Sequence, residues 1–406
     1  MAELRLLQLV PEPLPTHRPD VRVLFGDVLP RHGIFCDLVG RPAHGETQTS
    51  DWPGRLQCSS AEGGRLRREW AFFRTCLSEL LSADKQRYAA IQVRDMALLG
   101  ALARIICTIK GIPFFYWMSF LFAESRIARA ASPDEPLGRL RRMALALYGR
   151  LEYFALYRLV LPGCRHLFVQ SKAMASHVAV HGMPDEKMTA VPMGVDLDRI
   201  LSPGLIARRL PQWNDQPVIA YLGSLDVLRR LDVLIDMLCE LHRRGRTNIR
   251  LLLIGDGSSA ADTDMLRAHA EQLGLSHAIH ITGWLPGADA WALLKGADLA
   301  ISPIPRGPLL DVSSPTKLLE YLALGIPCIG NDSPDQVEVL TTSGAGVLCR
   351  LTALELADRA VPLLDDLPAA RRQAATGLDY IRQHRSYAVL GAQLATVYRR
   401  LTGISA

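Results

Sequence analysis

The sequence predicts an α/β protein of two parallel-sheet domains, and three observations lead there. The chain has 406 residues, more than one hydrophobic core usually supports. Short apolar runs alternate with stretches of helical period, the pattern of parallel strands covered by helices on both faces. That pattern runs through the first half and restarts after a proline-containing segment at 202–217.

The elements follow in order. Residues 4–10 read as the first strand, and Asp37-Leu38-Val39-Gly40 ends a second. A strand at 89–93 leads into a helix over 95–110, which stops at the turn Gly111-Ile112-Pro113. Residues 114–117 give the next strand, 137–161 a long arginine-studded helix, and 166–169 a strand running out to Gln170 and Ser171. The second half offers strands at 218–222, 249–254, 279–282, 299–302 and 328–330, the last expected to finish the sheet. Helices at 231–243, 263–273, 288–295 and 316–324 separate them, and 386–401 form a closing helix. The expected division is a first domain over 1–203 and a second over 204–385, with the 386–406 helix able to pack back on the first.

Nearly half the residues are hydrophobic (49%) and 21% are charged, which argues against disorder. The net charge of +5 comes with arginine runs at 65–68 and 139–142. It suits an anionic small molecule or an acidic membrane face, and no nucleic-acid module appears. The eight cysteines are scattered without a C-x-x-C pair, so reduced thiols are expected and a structural zinc site is not. Residues 1–10 lack the features of a signal peptide. The longest uncharged run of the most apolar region, 111–123, is shorter than the roughly 20 residues of a membrane span. A cytoplasmic protein is expected.

Three segments of the second half carry possible chemistry. The strand at 218–222 ends in Gly223 and Ser224, and Arg229 and Arg230 precede the next helix. A strand-end glycine lets a ligand approach the backbone, and an arginine fork binds phosphate oxygens bidentately. A solvated helix start explains the same residues. Next, Gly255-Asp256-Gly257-Ser258-Ser259-Ala260 matches G-x-G-x-x-A after a strand, but no acid follows about 20 residues on to hold a ribose. A nicotinamide site is therefore rejected and a glycine-rich loop beside the ligand retained. Third, Ser313-Ser314-Pro315-Thr316-Lys317-Leu318-Leu319-Glu320 opens a helix whose first amides point at a potential anion. Lys317 and Glu320 share one helix face, as would a plain surface ion pair.

Taken in order with Thr282-Gly283-Trp284-Leu285 and the run from Lys317 through Gly325-Ile326-Pro327, these segments resemble the family 4 glycosyltransferases of GT-B fold. Upstream, Val169-Gln170-Ser171 and Val191-Pro192-Met193-Gly194-Val195-Asp196 are similar to the family's last strand of the first domain and its exit. The resemblance covers nearly the whole chain. It implies two facing Rossmann-like domains with a cleft between them and a nucleotide-diphosphate sugar donor on the second. It also implies a retained anomeric configuration and no cofactor, the nucleotide sugar being a co-substrate.

By the same resemblance Arg229, with Arg230, binds the diphosphate, Lys317 assists, and Glu320 hydrogen-bonds the ribose. These three are the expected catalytic residues. Gly283, Trp284 and Leu285 border the base, while Gly223, Ser224, Gly255, Gly257, Ser313, Ser314, Thr316 and Leu318 complete the donor site. The first acid of the family's E-x7-E motif falls on Val312, with Asp311 adjacent as its stand-in. Ser224 stands where the family often has arginine, and 11–20 lacks the family's glycine-rich first loop.

Asp262-Thr263-Asp264 and Asp196-Leu197-Asp198 fit the D-x-D string of metal-dependent enzymes. Both lie away from the expected cleft, so no metal is expected. Trp117, Ser119 and Ser171 are expected on the acceptor side. The reading is transfer of a sugar to a glycan or lipid-linked acceptor in cell-surface or exopolysaccharide biosynthesis, with peripheral contact of the arginine-rich helices on an anionic membrane. A sugar-nucleotide 2-epimerase and a non-catalytic nucleotide- or glycan-binding subunit remain as alternatives.

Overall fold

The computed structural model describes residues 3–16, 18–43, 51–60, 62–133 and 137–403. The chain forms two compact units, Met1–Pro192 with Tyr387–Ala406, and Met193–Ser386. The boundary expected at 203/204 lies eleven residues earlier, because Met193, Val195 and Ile200 are buried with Trp213 and Val218 in the second unit's core. The segment expected as a linker is held there too. The Arg208 amide donates to the Ala292 carbonyl, and Lys295 Nζ donates to the Leu205 carbonyl.

The first unit's sheet comprises β1 (Leu4–Leu14), β2 (Ile34–Pro42), β3 (Leu56–Cys58), β4 (Ala90–Arg94), β5 (Phe114–Met118), β6 (His166–Val169) and β7 (Met188–Ala190). All pairings are parallel, in the order β3-β2-β1-β4-β5-β6-β7. Strands β3 and β7 have three residues each, too few to show a period, and the sequence reading passed over both. It also passed over the Arg65–Ser82 helix, read only as a charge run. The long helix expected over 137–161 is regular over Arg139–Phe154 and widens into a π turn over Ala155–Val160.

Phe25, Phe115, Trp117 and Phe168 form the aromatic centre of this core, and the Tyr387–Thr402 helix completes it. Tyr398 packs on Phe25, Phe115 and Phe168, and its hydroxyl donates to Gln92 Oε1 at 2.7 Å. At the carboxyl end of β4, fully buried Arg94 pairs with Glu12 at 3.1 Å and with Asp20. The adjacent Asp95, at φ +55°, accepts from the Ser119 amide and hydroxyl.

The second unit's sheet comprises β8 (Val218–Leu222), β9 (Arg250–Ile254), β10 (Ile279–Ile281), β11 (Leu299–Ser302), β12 (Cys328–Asn331) and β13 (Val347–Cys349), in the parallel order β10-β9-β8-β11-β12-β13. Strand β13, expected by nothing in the sequence reading, pairs with β12, so β12 does not finish the sheet. The order reverses between β8 and β11, and ligands of open α/β sheets bind beyond the carboxyl ends of strands at such a switch point. Leu222 is paired with Ile254, so β8 and β9 end level and bring Gly223 beside Gly255.

The last helix sits tightly on the first unit. A Cβ at Gly391 would lie 2.3 Å from Val28 Cγ1, a β-branched side chain with little freedom to yield. Gly391→Ala is expected to destabilise this unit by about 1–3 kcal/mol, read as a lowered melting temperature.

Candidate functional site

The second unit's site is built on a floor of backbone. Gly255, at φ +143°, stacks so closely on β8 that a Cβ would lie 2.0 Å from the Gly223 carbonyl oxygen. The contact is bonded on both sides. The Gly223 amide donates to the Ile254 carbonyl at 2.9 Å, and the Gly255 amide to Thr282 Oγ1 at 3.1 Å. Gly255 also bridges to Gly283, which places Trp284, 75% exposed, beside the floor. Leu285 is half-buried against the core.

The Thr316–Ala323 helix brings the charged groups. Leu318, Leu319, Tyr321, Leu322 and Ala323 bury its apolar face. Tyr321 sets its height: the hydroxyl accepts from the Leu222 amide at 3.1 Å and donates to the Ile301 carbonyl at 3.3 Å. Lys317 and Glu320 are left half-buried on the other face. The Lys317 stem lies on Gly223, where a Cβ would meet its Cε at 2.2 Å, and Nζ stands 5.3 Å from the centre of the Tyr221 ring. No side chain caps the helix start at Pro315, so its first amides are available to a ligand.

Burial and the nearby Arg229 guanidinium push the Lys317 ammonium down to about 7. Burial lifts Glu320 to about 7, against the hydrogen bond it accepts from Trp291 Nε1 at 3.2 Å and the charge of Lys317. Among the described residues the side chains of Lys317 and Arg229 make no hydrogen bond or ion pair with protein. Two cations are thus held near one another, without a bonded acid, beside an uncapped helix start. Asp226 stands near both, and against the upward push of burial, hydrogen bonds from Ser224 and the Ser258 amide keep it ionised.

Gly223, Ser224, Arg229, Gly255, Gly283, Trp284, Thr316, Lys317 and Glu320 therefore gather at this carboxyl edge. Other expected residues are engaged elsewhere. Arg230, at φ +52°, chelates Asp232 with Nε and Nη2, so the arginine fork is split. At Gly257 packing already requires glycine, since a Cβ would lie 2.5 Å from Asp262 Cβ. Asp311 is gripped by Arg306 at 2.8 Å and 3.1 Å and by the Gly307 amide, which holds its carboxyl below the ordinary range. It is not free to replace the acid missing at Val312, itself buried.

Ser313 donates to the Leu310 carbonyl. The Ser314 hydroxyl serves a buried network, donating to Asp335 and accepting from the Met193 amide and Arg385. Leu318 is core, and only its backbone faces the helix start.

The acceptor-side expectations meet the same limit. Trp117 is buried between Phe25 and Phe168, Ser119 is spent on Asp95, and Ser171 caps the Lys172–Ala179 helix by accepting from the Met174 amide. Asp262 closes a capping box with Ser259, and Asp196 caps the Leu197–Ile200 turn. Sequence reasoning missed Tyr221, Asp226, Trp291 and Tyr321. Only Tyr321 had a signal, as the one polar-tipped residue on the buried face of a recognised helix.

Comparison with known proteins agrees with this geometry. The family described as glycosyl transferases group 1 matches residues 216–366, the sheet that carries the site. Over those residues the chain resembles the group 1 glycosyltransferases. It is similar to a D-inositol 3-phosphate glycosyltransferase of Segniliparus rotundus, 27% identical over 294 residues, 68% of this chain and 61% of the relative. It is also similar to an alpha-D-kanosaminyltransferase of Streptomyces kanamyceticus, 24% identical over 46% of this chain and 47% of the relative. The aligned part spans about half the length of the curated relatives it matches.

Among solved structures, a glycosyltransferase from Rickettsia africae superposes with a TM-score of 0.72 at 14% identity, over 99% of this chain and 100% of that one. The Anabaena HepE protein in complex with UDP gives 0.67 at 14% identity, over 98% and 100%. These likenesses show the GT-B fold, two Rossmann-like domains.

Lys317 carries a cost in the unliganded fold. Its folded pKa lies below the ordinary 10.5, so the unfolded chain binds more protons between about 7 and 10.5. Stability is lost as pH falls through that window. Lys317→Met is expected to raise the melting temperature, most at pH below about 7 and least near 10.5, as a thermal melt at several pH values would read.

Proposed function

We propose that the chain transfers a sugar from a nucleotide-diphosphate donor to a hydroxyl of a glycan or lipid-linked acceptor, with the donor held on the second unit. The observation that carries this is the pair of unbonded cations, Lys317 and Arg229, beside an uncapped helix start and the Gly223–Gly255 floor. That is a seat for a diphosphate: backbone close enough to touch, amides directed outward, and two cationic side chains that no acid among the described residues hydrogen-bonds. The family supports it, as does the UDP-glucose complex of the HepE protein.

In the reaction the bond between the anomeric carbon and the diphosphate oxygen breaks. The acceptor oxygen bonds to that carbon, and its proton passes to the departing diphosphate. Lys317, Arg229 and the helix amides stabilise the charge that develops on the leaving group. Glu320, oriented by Trp291, accepts from hydroxyls of the nucleotide ribose. Retention of configuration follows the family resemblance, and an inverted product, read by proton NMR at the anomeric position, would overturn it.

Two measurements test the donor seat. UDP, GDP, ADP and their sugar conjugates are screened for a rise in melting temperature. One nucleotide is expected to stabilise the protein, the shift to vanish in Arg229→Ala, and to persist in Arg230→Ala, whose side chain is already committed to Asp232. Loss in Arg230→Ala alone would reassign the diphosphate to the other arginine. A nucleotide that binds without donor consumption would support a binding subunit, and a changed sugar nucleotide released without acceptor would support an epimerase.

The second measurement is the pH dependence of sugar-nucleotide affinity. A diphosphate requires the charged form of Lys317, and the free site gives up that proton near pH 7. Affinity is expected to fall as pH rises above about 7, by up to about tenfold per unit, and Lys317→Met is expected to abolish the dependence.

A further inference from the structure

In the first unit, the Arg139–Phe154 helix is built inside out. Its buried positions are Gly149 and Glu152. A Cβ at Gly149 would lie 3.0 Å from Ile127 Cγ1 and 3.2 Å from the Ala123 carbonyl, so this side is pressed against the Phe122–Ala131 helix. Glu152 is neutralised there by Arg126.

The apolar residues Leu140, Met143, Leu147, Leu151 and Phe154 are exposed, Leu140 by 82% and Leu147 by 71%. Their spacing of three and four residues confines them to an arc of roughly 80° at 100° per residue. A helix serving a soluble core buries such a stripe. Here it faces outward.

The surroundings identify what would cover it. By the same spacing, Arg139 and Arg150 run along one edge of the stripe. The Arg65–Ser82 helix adds exposed Leu66 and Trp70, with Arg65, Arg67 and Arg68 around them. The two helices are neighbours, since Phe72 and Tyr148 line one cavity of about 390 Å³.

Every acid on either helix is withdrawn from the outer surface or paired: Glu152 with Arg126, Glu69 with Arg41, Glu79 with Arg55. The face is therefore apolar, rimmed by arginine, with its acids already spent. A second copy would set arginine against arginine across a twofold axis.

We propose that this face docks on an anionic lipid bilayer, with the Arg139–Phe154 helix lying in the interface plane. Its leucines and Phe154 enter the acyl boundary, and the flanking arginines meet headgroup phosphates. Among the described residues no helix is long and apolar enough to cross a membrane. The proposal goes beyond the transfer reaction and does not depend on the donor site.

The test uses the full chain and vesicles of phosphatidylcholine with or without phosphatidylglycerol, read by co-flotation. Binding is expected only with the anionic lipid and is expected to weaken with added salt. The double variant Leu140→Ser, Leu147→Ser is expected to lose about tenfold or more of the affinity with an unchanged melting temperature, because neither side chain contributes to the core. Arg139→Gln with Arg150→Gln is expected to weaken binding and flatten its salt dependence.

Failure to float with either vesicle, or equal flotation of the leucine double variant, would overturn the proposal. So would a dimer in sedimentation velocity that dissociates in that double variant, since the stripe would then be a self-association face.

Discussion

The second unit depends on one close approach, that of Gly255 to Gly223. Strands β8 and β9 end level, and their next residues touch through backbone with no room for a side chain. Everything at the site refers to that contact. The Lys317 stem rests on it, Gly283 is bridged to it, and Tyr321 ties the helix carrying Lys317 and Glu320 to the last amide of β8. A Cβ at Gly255 would drive the two strand ends apart. The donor seat proposed above would need the same bare backbone.

The charges on this floor are arranged against stability. Lys317 and Glu320 are packed deeply enough for burial to oppose the charge on each, and Arg229 adds repulsion on the lysine. Elsewhere in the same unit, buried charge is paired: Arg385 with Asp335, and Arg209 with Asp298. The contrast separates structural ion pairs, which satisfy one another, from Lys317 and Arg229, which no acid among the described residues hydrogen-bonds. The strain is local, since the helix buries five apolar residues on its opposite side.

Several residues that read as site residues turn out to be construction. Ser314, Asp311 and Gly257 lie in the right segments, but their polar atoms or their missing side chains are used by Arg385, Arg306 and Asp262. In the first unit, Trp117, Ser119 and Ser171 sit near strand ends yet face inward. A linear motif marks which segment approaches a ligand. Which of two adjacent residues turns toward it depends on the partners each finds in the fold, as with Arg229 and Arg230, of which Asp232 claims only the second.

The sequence by itself determined the α/β class, the longer strands of both sheets, the glycine-ended strands of the second unit and the Lys317–Glu320 helix. Each has a local cause: apolar runs of strand length, glycine where no Cβ fits, and a period of three to four residues. Only the tertiary structure decided the short edge strands β3, β7 and β13, the course of residues 193–217 within the second unit, and the partners that claim Arg230, Asp311 and Ser314. The edge strands, the course of 193–217 and the claim on Ser314 rest on contacts across tens to hundreds of residues, while Arg230 and Asp311 are claimed by near neighbours whose choice of partner no motif records. The outward stripe of the Arg139–Phe154 helix belongs with them: its period was legible, but its direction was set by Gly149 and Glu152 packing on a neighbouring helix.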